Sequence, residues 1–109
     1  MIWDVEYLPE AIADLRKLDG SQRLLVRKAI RKVQSNPLPS SQGGYGKPLG
    51  NKGGTTLSGY LKVKIRSAGL RIVYQLREHH GKMLVIIIGA RADDEVYELA
   101  SRRIEKHGL

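Results

Sequence analysis

The sequence predicts one α+β domain in which helices pack against a largely antiparallel sheet, in the order strand, two helices, three strands, helix. Three observations carry this. The hydrophobic pattern changes period along the chain: two over residues 2–7, helical over 9–36, two again over 60–77, and helical after 93. The run Met83-Leu84-Val85-Ile86-Ile87-Ile88 has no polar face and belongs inside a sheet. Finally, 109 residues without internal repeats or a linker make residues 1–109 a single domain with a single core.

Taken in order, Ile2 to Tyr7 places Trp3, Val5 and Tyr7 on one side and Asp4 and Glu6 on the other, as a half-buried strand does. Pro9 suits the first turn of a helix whose inner face is Ile12, Leu15 and Leu18, with Asp19-Gly20 as its stop. Ser21 then caps a second helix. Its inner positions are Val26, Ala29, Ile30 and Val33, its outer stripe is Arg23, Arg27 and Arg31, and Asn36-Pro37 ends it. Residues 37–59 are rich in Gly, Pro, Ser and Thr and read as a mobile loop. A phosphate-loop reading of these glycines fails because no Gly-Lys-Ser/Thr follows them. Gly44-Tyr45-Gly46 likewise lacks the strand-turn-helix context of a dinucleotide fingerprint.

The next strand, 60–66, puts Leu61, Val63 and Ile65 on one face and Tyr60, Lys62, Lys64 and Arg66 on the other. In the strand from Leu70 to Arg77, Leu70, Ile72, Tyr74 and Leu76 oppose Arg71, Val73, Gln75 and Arg77. Keeping Arg71 off the core face requires an even-numbered hairpin loop, because opposed residues of an antiparallel pair point the same way. A two-residue turn at Ala68-Gly69, or a four-residue loop of the same register, sets Arg71 opposite Arg66, Val73 opposite Lys64, and Ile72, Tyr74 and Leu76 on Ile65, Val63 and Leu61. After the turn 78–82 and the apolar strand, Asp93-Asp94-Glu95 supplies a cap and negative charge for a last helix with Val96, Leu99, Ala100, Arg103 and Ile104 inward.

The composition, 41% hydrophobic and 28% charged, is that of an ordinary globular protein, and the apolar run is far too short to span a membrane. With no cysteine there is no disulfide framework, thiolate metal site or cysteine nucleophile, which fits a reducing compartment. The first residues lack the basic and apolar regions of a signal peptide, so a cytoplasmic address is expected. Charge is more informative. The net charge is +8, and all eleven acids lie outside residues 20–77, a stretch that carries twelve lysines and arginines. Such a segment suits a polyanion, nucleic acid first and an acidic protein second.

Lys62, Lys64, Arg66 and Arg71 on one sheet face, with Arg91 at the exit of the neighbouring strand, form a cationic patch suited to phosphate. RNA is cut without metal or cofactor when its own 2′-hydroxyl attacks the adjacent phosphate. That route needs charge stabilisation, which arginine gives, and proton transfers, which a lysine gives if crowding and burial bring its pKa toward neutrality. Tyr97, in the first turn of the last helix, adds a hydroxyl or a stacking ring. Solvated lysines on an exposed sheet are the bland alternative. His79, His80 and His107 read as surface residues, Trp3, Tyr7 and Tyr74 as core or core edge, and the arginine stripe as a solvated helix face or a contact to RNA.

The segments GYLKVKIRSAGLRIVYQ, IIIGAR and EVYELASRRI, together with the strand-helix-helix start, resemble the RelE family of type II toxin-antitoxin ribonucleases in the RelE/ParE superfamily. The resemblance implies a RelE-like fold with a basic open face. It implies a small cytoplasmic toxin that enters the ribosomal A site and cuts mRNA. Its implied partners are a cognate antitoxin, mRNA and the ribosome, with operator DNA reached only through the antitoxin complex. It implies catalytic and phosphate-binding roles for Lys62, Lys64, Arg71, Arg91 and Tyr97 and an RNA contact for Arg66, and it leaves open which of Lys62, Lys64 and Tyr97 takes the 2′-hydroxyl proton. Two features depart from it: Ala92-Asp93-Asp94 follows Arg91 where basic residues are usual, and the loop from Ser40 to Ser58 is long and glycine-rich. The competing expectations are a ParE-like inhibitor of DNA gyrase and a non-catalytic RNA-binding module.

Overall fold

A computed structural model of the chain describes residues 3–52, 55–90 and 92–109. Its first strand, β1 (Asp4–Tyr7), alternates exposed and half-buried residues as its sequence does; Met1 and Ile2 lie outside the described residues. Helix α1 (Pro9–Lys17) begins on its proline and buries Leu8 and Ala11, with Leu15 and Leu18 half-buried behind them. Ile12, expected inside, is 40% exposed. The stripe Ala11, Leu15, Leu18 turns Asp14 rather than Ile12 toward the sheet, and Asp14 has a bond to make there.

The junction to α2 (Gly20–Ser35) differs from expectation in a way that local chemistry explains. Asp19, not Ser21, is the cap: its Oδ1 accepts from Gln22 N at 2.8 Å, while Gln22 Oε1 accepts from Asp19 N at 3.1 Å. This reciprocal box satisfies two of the donors a helix start leaves unpaired. Gly20 is therefore the first helical residue and no stop, and Ser21 donates to the capping carboxylate. Val26, Ile30 and Val33 are buried as expected, and Asn36 closes the helix.

Residues 37–59 contain ordered pieces where a mobile loop was expected. These are β2 (Lys47–Pro48) and a small ribbon of β3 (Asn51–Lys52) and β4 (Thr55–Thr56). Leu49 and Leu57 are buried, anchored by Leu49 N donating to Tyr60 O and Leu57 N to Gly50 O. Two leucines separated by eight residues have no periodicity to betray them.

The main sheet has the order β1-β7-β6-β5-β2, with β5 (Tyr60–Ile65), β6 (Leu70–Arg77) and β7 (Lys82–Gly89) as an antiparallel meander and β1 parallel to β7. The all-apolar β7 lies inside the sheet, as its composition demands. The β5–β6 register is shifted from the expected one: Lys64 lies opposite Arg71, Lys62 opposite Val73, and Ile65 opposite Leu70. Arg66–Ala68 form one 3-10 turn and Gly69 takes φ +63°, so four residues join the strands and Arg66 is drawn off the strand into the turn. The slip is an even one, and so every side chain keeps its face.

Helix α2 covers the apolar face of the sheet, where Tyr74 is fully buried and donates to Pro37 O at 2.7 Å just past the helix end. Helix α3 (Asp93–Lys106) lies over part of the other, basic face. A Cβ on Gly89, which sits opposite Arg71, would come within 3.0 Å of Val96 Cγ2. The expected cap among Asp93, Asp94 and Glu95 is displaced by one residue, since the N-cap position is Ala92 and carries no side-chain bond. Among the described residues no helix is long and apolar enough to cross a membrane.

Candidate active site

The site is assembled by one hairpin and one helix. Alternation in β5 sends Lys62 and Lys64 to the same face, and the register brings Arg71 of β6 directly across from Lys64. Across from Lys62 the partner is Val73, which is fully buried and gives the site an apolar floor. Helix α3 then closes one side. Lys62 Nζ donates to Tyr97 Oη at 3.0 Å and lies 5.5 Å from the centre of its ring. Tyr97 is the fifth residue of α3, in its second turn rather than its first, and is only 4% exposed. Its ring is therefore packed, with the hydroxyl as its working end. Arg71 also donates to Gly69 O at 3.3 Å, which holds its guanidinium near the hairpin turn.

Of the residues singled out from sequence, Lys62, Lys64, Arg71 and Tyr97 come together at this hairpin and helix. Arg66 sits in the exposed turn at the end of β5. Arg91 lies outside the described residues; the strand preceding it, β7, ends at Gly89, opposite Arg71. His79 and His80 are exposed in the β6–β7 turn as expected. His107 is exposed as well, with its ring 3.0 Å from the Glu10 carboxylate.

Three features of the site were not legible in advance. Lys47 of β2 lies directly opposite Lys62 and adds a cation to the edge; its only local signal is the Lys47-Pro48 pair, since proline within a sheet keeps to edges. Along the same face, Gln75 donates to Tyr60 Oη and accepts from Arg77 Nε, both at 3.3 Å, extending the polar row away from Lys62. Burial pushes the Tyr60 phenol above its ordinary pKa, with the Arg77 charge opposing. Helix α3 itself is held by a carboxylate fork. Arg103 donates to both oxygens of Asp14, at 2.6 and 3.0 Å, and to Ile86 O at 3.1 Å, while Ile88 N donates to Asp14 at 3.0 Å. A charge pair thus replaces the strand partner that β7 lacks beyond the end of β1.

The family profile described as ParE toxin of type II toxin-antitoxin system, parDE, matches residues 5–95. The chain belongs to the RelE/ParE family of type II toxins. Among its relatives, a RelE-like toxin protein of Escherichia coli is 30% identical over 105 residues, covering 95% of this chain and 99% of that one. The mRNA interferase toxin RelE of Escherichia coli K12 is 29% identical over 104 residues, again 95% of this chain and 99% of the relative. A solved mutant of E. coli toxin RelE in the free state superposes with a TM-score of 0.72 at 27% identity, covering 95% of this chain and 99% of that one. A RelE mutant bound to a peptide of the antitoxin RelB gives 0.66 at 26% identity, over 92% and 95%. In this RelE/ParE chain the profile match runs through β5, β6 and β7 and stops at residue 95, whereas the likeness to RelE extends over nearly all of α3, Tyr97 included.

Proposed function

We propose that this protein is the toxin of a toxin-antitoxin pair and an endoribonuclease that cuts mRNA in the ribosomal A site. The substrate's 2′-hydroxyl attacks the adjacent phosphorus, forming the O2′–P bond as the P–O5′ bond breaks. The proton leaves O2′ for a base on the protein, and O5′ gains one from an acid. The products are a 2′,3′-cyclic phosphate and a free 5′-hydroxyl. Arg71 holds the non-bridging oxygens, and Lys64 opposite it stabilises the charge that develops on them. The Lys62–Tyr97 pair sits beside them to move a proton, because an ammonium donating to a phenol oxygen stabilises charge there. Arg91 serves the leaving oxygen, and Arg66 contacts RNA beyond the cut.

The observation that carries the reading is the 3.0 Å bond from Lys62 to Tyr97 next to the Lys64–Arg71 pair. Tyr97 and Lys62 come from segments 35 residues apart. The names of the RelE relatives support the substrate class. The RelB-bound relative supports a cognate antitoxin, for which a segment free of acids from 20 to 77 is a complementary surface. Operator DNA is then met through that complex.

The test is to sequence RNA ends made with and without ribosomes. Cyclic-phosphate and 5′-hydroxyl ends that disappear in Lys64→Ala, Arg91→Ala and Tyr97→Phe are expected. Variants that cleave like the parent overturn the assignment. The ParE description of the matched profile favours a second reading, inhibition of DNA gyrase by binding. Intact mRNA beside inhibited supercoiling would select it.

A further inference from the structure

The Gly44-Tyr45-Gly46 tripeptide is not a nucleotide fingerprint, yet its conformation is tightly specified. Tyr45 N donates to Asn36 O at 3.0 Å, Gly44 N to Pro39 O at 3.1 Å and Gly46 N to Leu38 O at 3.1 Å. A Cβ on Gly44 would collide with the Leu38 carbonyl, and one on Gly46 with the Tyr74 hydroxyl. Only glycine fits on either side. The backbone of Tyr45 is thus pinned against the end of α2, and still the residue is left 48% exposed. A turn specified this closely to display an aromatic ring asks for a ligand.

The ring stands in a cleft of about 380 Å³ between α2 and β5, within the roughly 300–1,000 Å³ usual for ligand sites. Among the described residues, Lys32, Lys47, Lys62, Lys64 and Arg66 line it together with Tyr45, with no acid beside them. The Lys32 ammonium lies 5.1 Å from the centre of the Tyr45 ring. Val33 and Val63 supply an apolar wall. The cleft is continuous with the candidate active site, because Lys62 lines it and also donates to Tyr97.

We propose that this cleft is a nucleobase subsite: a base of single-stranded RNA flanking the cut stacks on Tyr45, and Lys32 and Lys47 hold the phosphate beside it. An exposed aromatic interleaved with cations is the arrangement by which single strands are bound, since every base has a π-face and every linkage a charge. An acidic protein segment would satisfy the cations and leave the displayed ring without a purpose. The inference rests on the ribonuclease reading and adds to it a determinant of substrate grip outside the reacting groups.

The experiment measures binding of an RNA oligonucleotide carrying 2′-deoxyribose at the cut, and single-turnover cleavage of mRNA on programmed ribosomes. Tyr45→Ala is expected to weaken grip on the RNA by about 5- to 100-fold, the range for loss of one stacked base, with Tyr45→Trp retaining it. An abasic site introduced at successive positions of the RNA should, at one position, cost the parent as much as Tyr45→Ala does and cost Tyr45→Ala nothing further. The melting temperature of Tyr45→Ala should match the parent, separating grip from folding. If the parent binds and cuts RNA and Tyr45→Ala does so equally well, the subsite is overturned and the ribonuclease reading stands. A Tyr45→Ala variant unchanged on RNA but weakened toward an acidic antitoxin peptide makes the cleft a protein-docking site and also overturns the proposal. A parent that neither binds nor cuts RNA, with or without ribosomes, overturns both.

Discussion

Helix α3 carries two clusters of charge, one at each end. Toward its N-terminus Tyr97 meets Lys62 beside Lys64 and Arg71, and the segment that supplies those cations has no acid for 58 consecutive residues, 20–77. Toward its C-terminus Arg103 is clasped by Asp14, and Lys106 and His107 both lie about 3 Å from Glu10. Charges of opposite sign placed together lower the energy of the folded chain and fix a geometry. Charges of one sign placed together raise it, and are retained where an anionic ligand offsets them. The second cluster holds the helix, and the first uses the position so fixed. Substitutions at the like-charge end should therefore act on activity alone, and those at the paired end on stability first and on activity through it.

The largest effects belong to the like-charge end. Arg71→Ala and Lys64→Ala should each lower single-turnover mRNA cleavage by about 100- to 1,000-fold, the usual consequence of removing one group that stabilises developing charge. Their melting temperatures should stay close to the parent's, since Lys64 is exposed and Arg71 only half-buried. A loss of activity matched by a loss of stability would break the comparison and make the pair structural.

At the other end the order reverses. Asp14 and Arg103 are each about one-seventh exposed, 13% and 16%, and removing one leaves its partner without its counter-charge and one β7 backbone group, Ile88 N or Ile86 O, without its side-chain bond. Asp14→Ala or Arg103→Ala should destabilise the fold by about 3 kcal/mol, read from denaturant midpoints at constant slope. The double variant Asp14→Leu/Arg103→Met should recover much of that, because two apolar groups carry no buried charge to strand. Cleavage by the folded fraction of Arg103→Ala should also fall, through the lost placement of Tyr97. Equal stability of single and double variants would show that the fork does not act as a pair.

How much of this was legible follows from the range of each interaction. Alternation in β5 and β6 revealed which face Lys62, Lys64 and Arg71 share, because parity is local and survives the two-residue slip that moved Arg71 from Arg66 to Lys64. The slip itself depends on the left-handed Gly69 and a 3-10 turn, which the dipeptide Ala68-Gly69 does not distinguish from a two-residue turn. Asp14 drew no notice in α1 because hydrophobic spacing carries no information about a carboxylate needed at a strand end 74 residues away. Lys47, Leu49 and Leu57 were lost among glycines for the same reason. Contacts set by periodicity were readable, and those set by one distant polar partner were not.

A neutral bond provides an intermediate case. The Tyr74 hydroxyl, fully buried, donates to Pro37 O at 2.7 Å, and burial holds the phenol well above its ordinary pKa. Tyr74→Phe should cost about 1–2 kcal/mol, the toll of an unsatisfied buried carbonyl, and leave cleavage per folded molecule unchanged. An equal loss of activity would place the loop end, and with it the Tyr45 turn, in closer control of the site than the charge clusters suggest.

The smallest effect distinguishes the two clusters by pH. The Glu10 carboxyl is lowered to about 2 from an ordinary 4.5, first by its bond to His107, then by its own backbone N–H, with Lys106 adding to both. A carboxyl whose folded pKa is depressed binds its proton more readily when unfolded. Its contribution is therefore complete above about pH 4.5 and is lost as the pH falls toward 2. Because the group is near the surface, screening limits the contribution to about 1 kcal/mol or less. Glu10→Gln should accordingly lower the melting temperature slightly at pH 7 and lose that effect as the pH falls toward 2. A Glu10→Gln deficit that persists undiminished at pH 2 would assign the contact to packing of the α3 end against α1, and the pairing at that end would then rest on Asp14 and Arg103 alone.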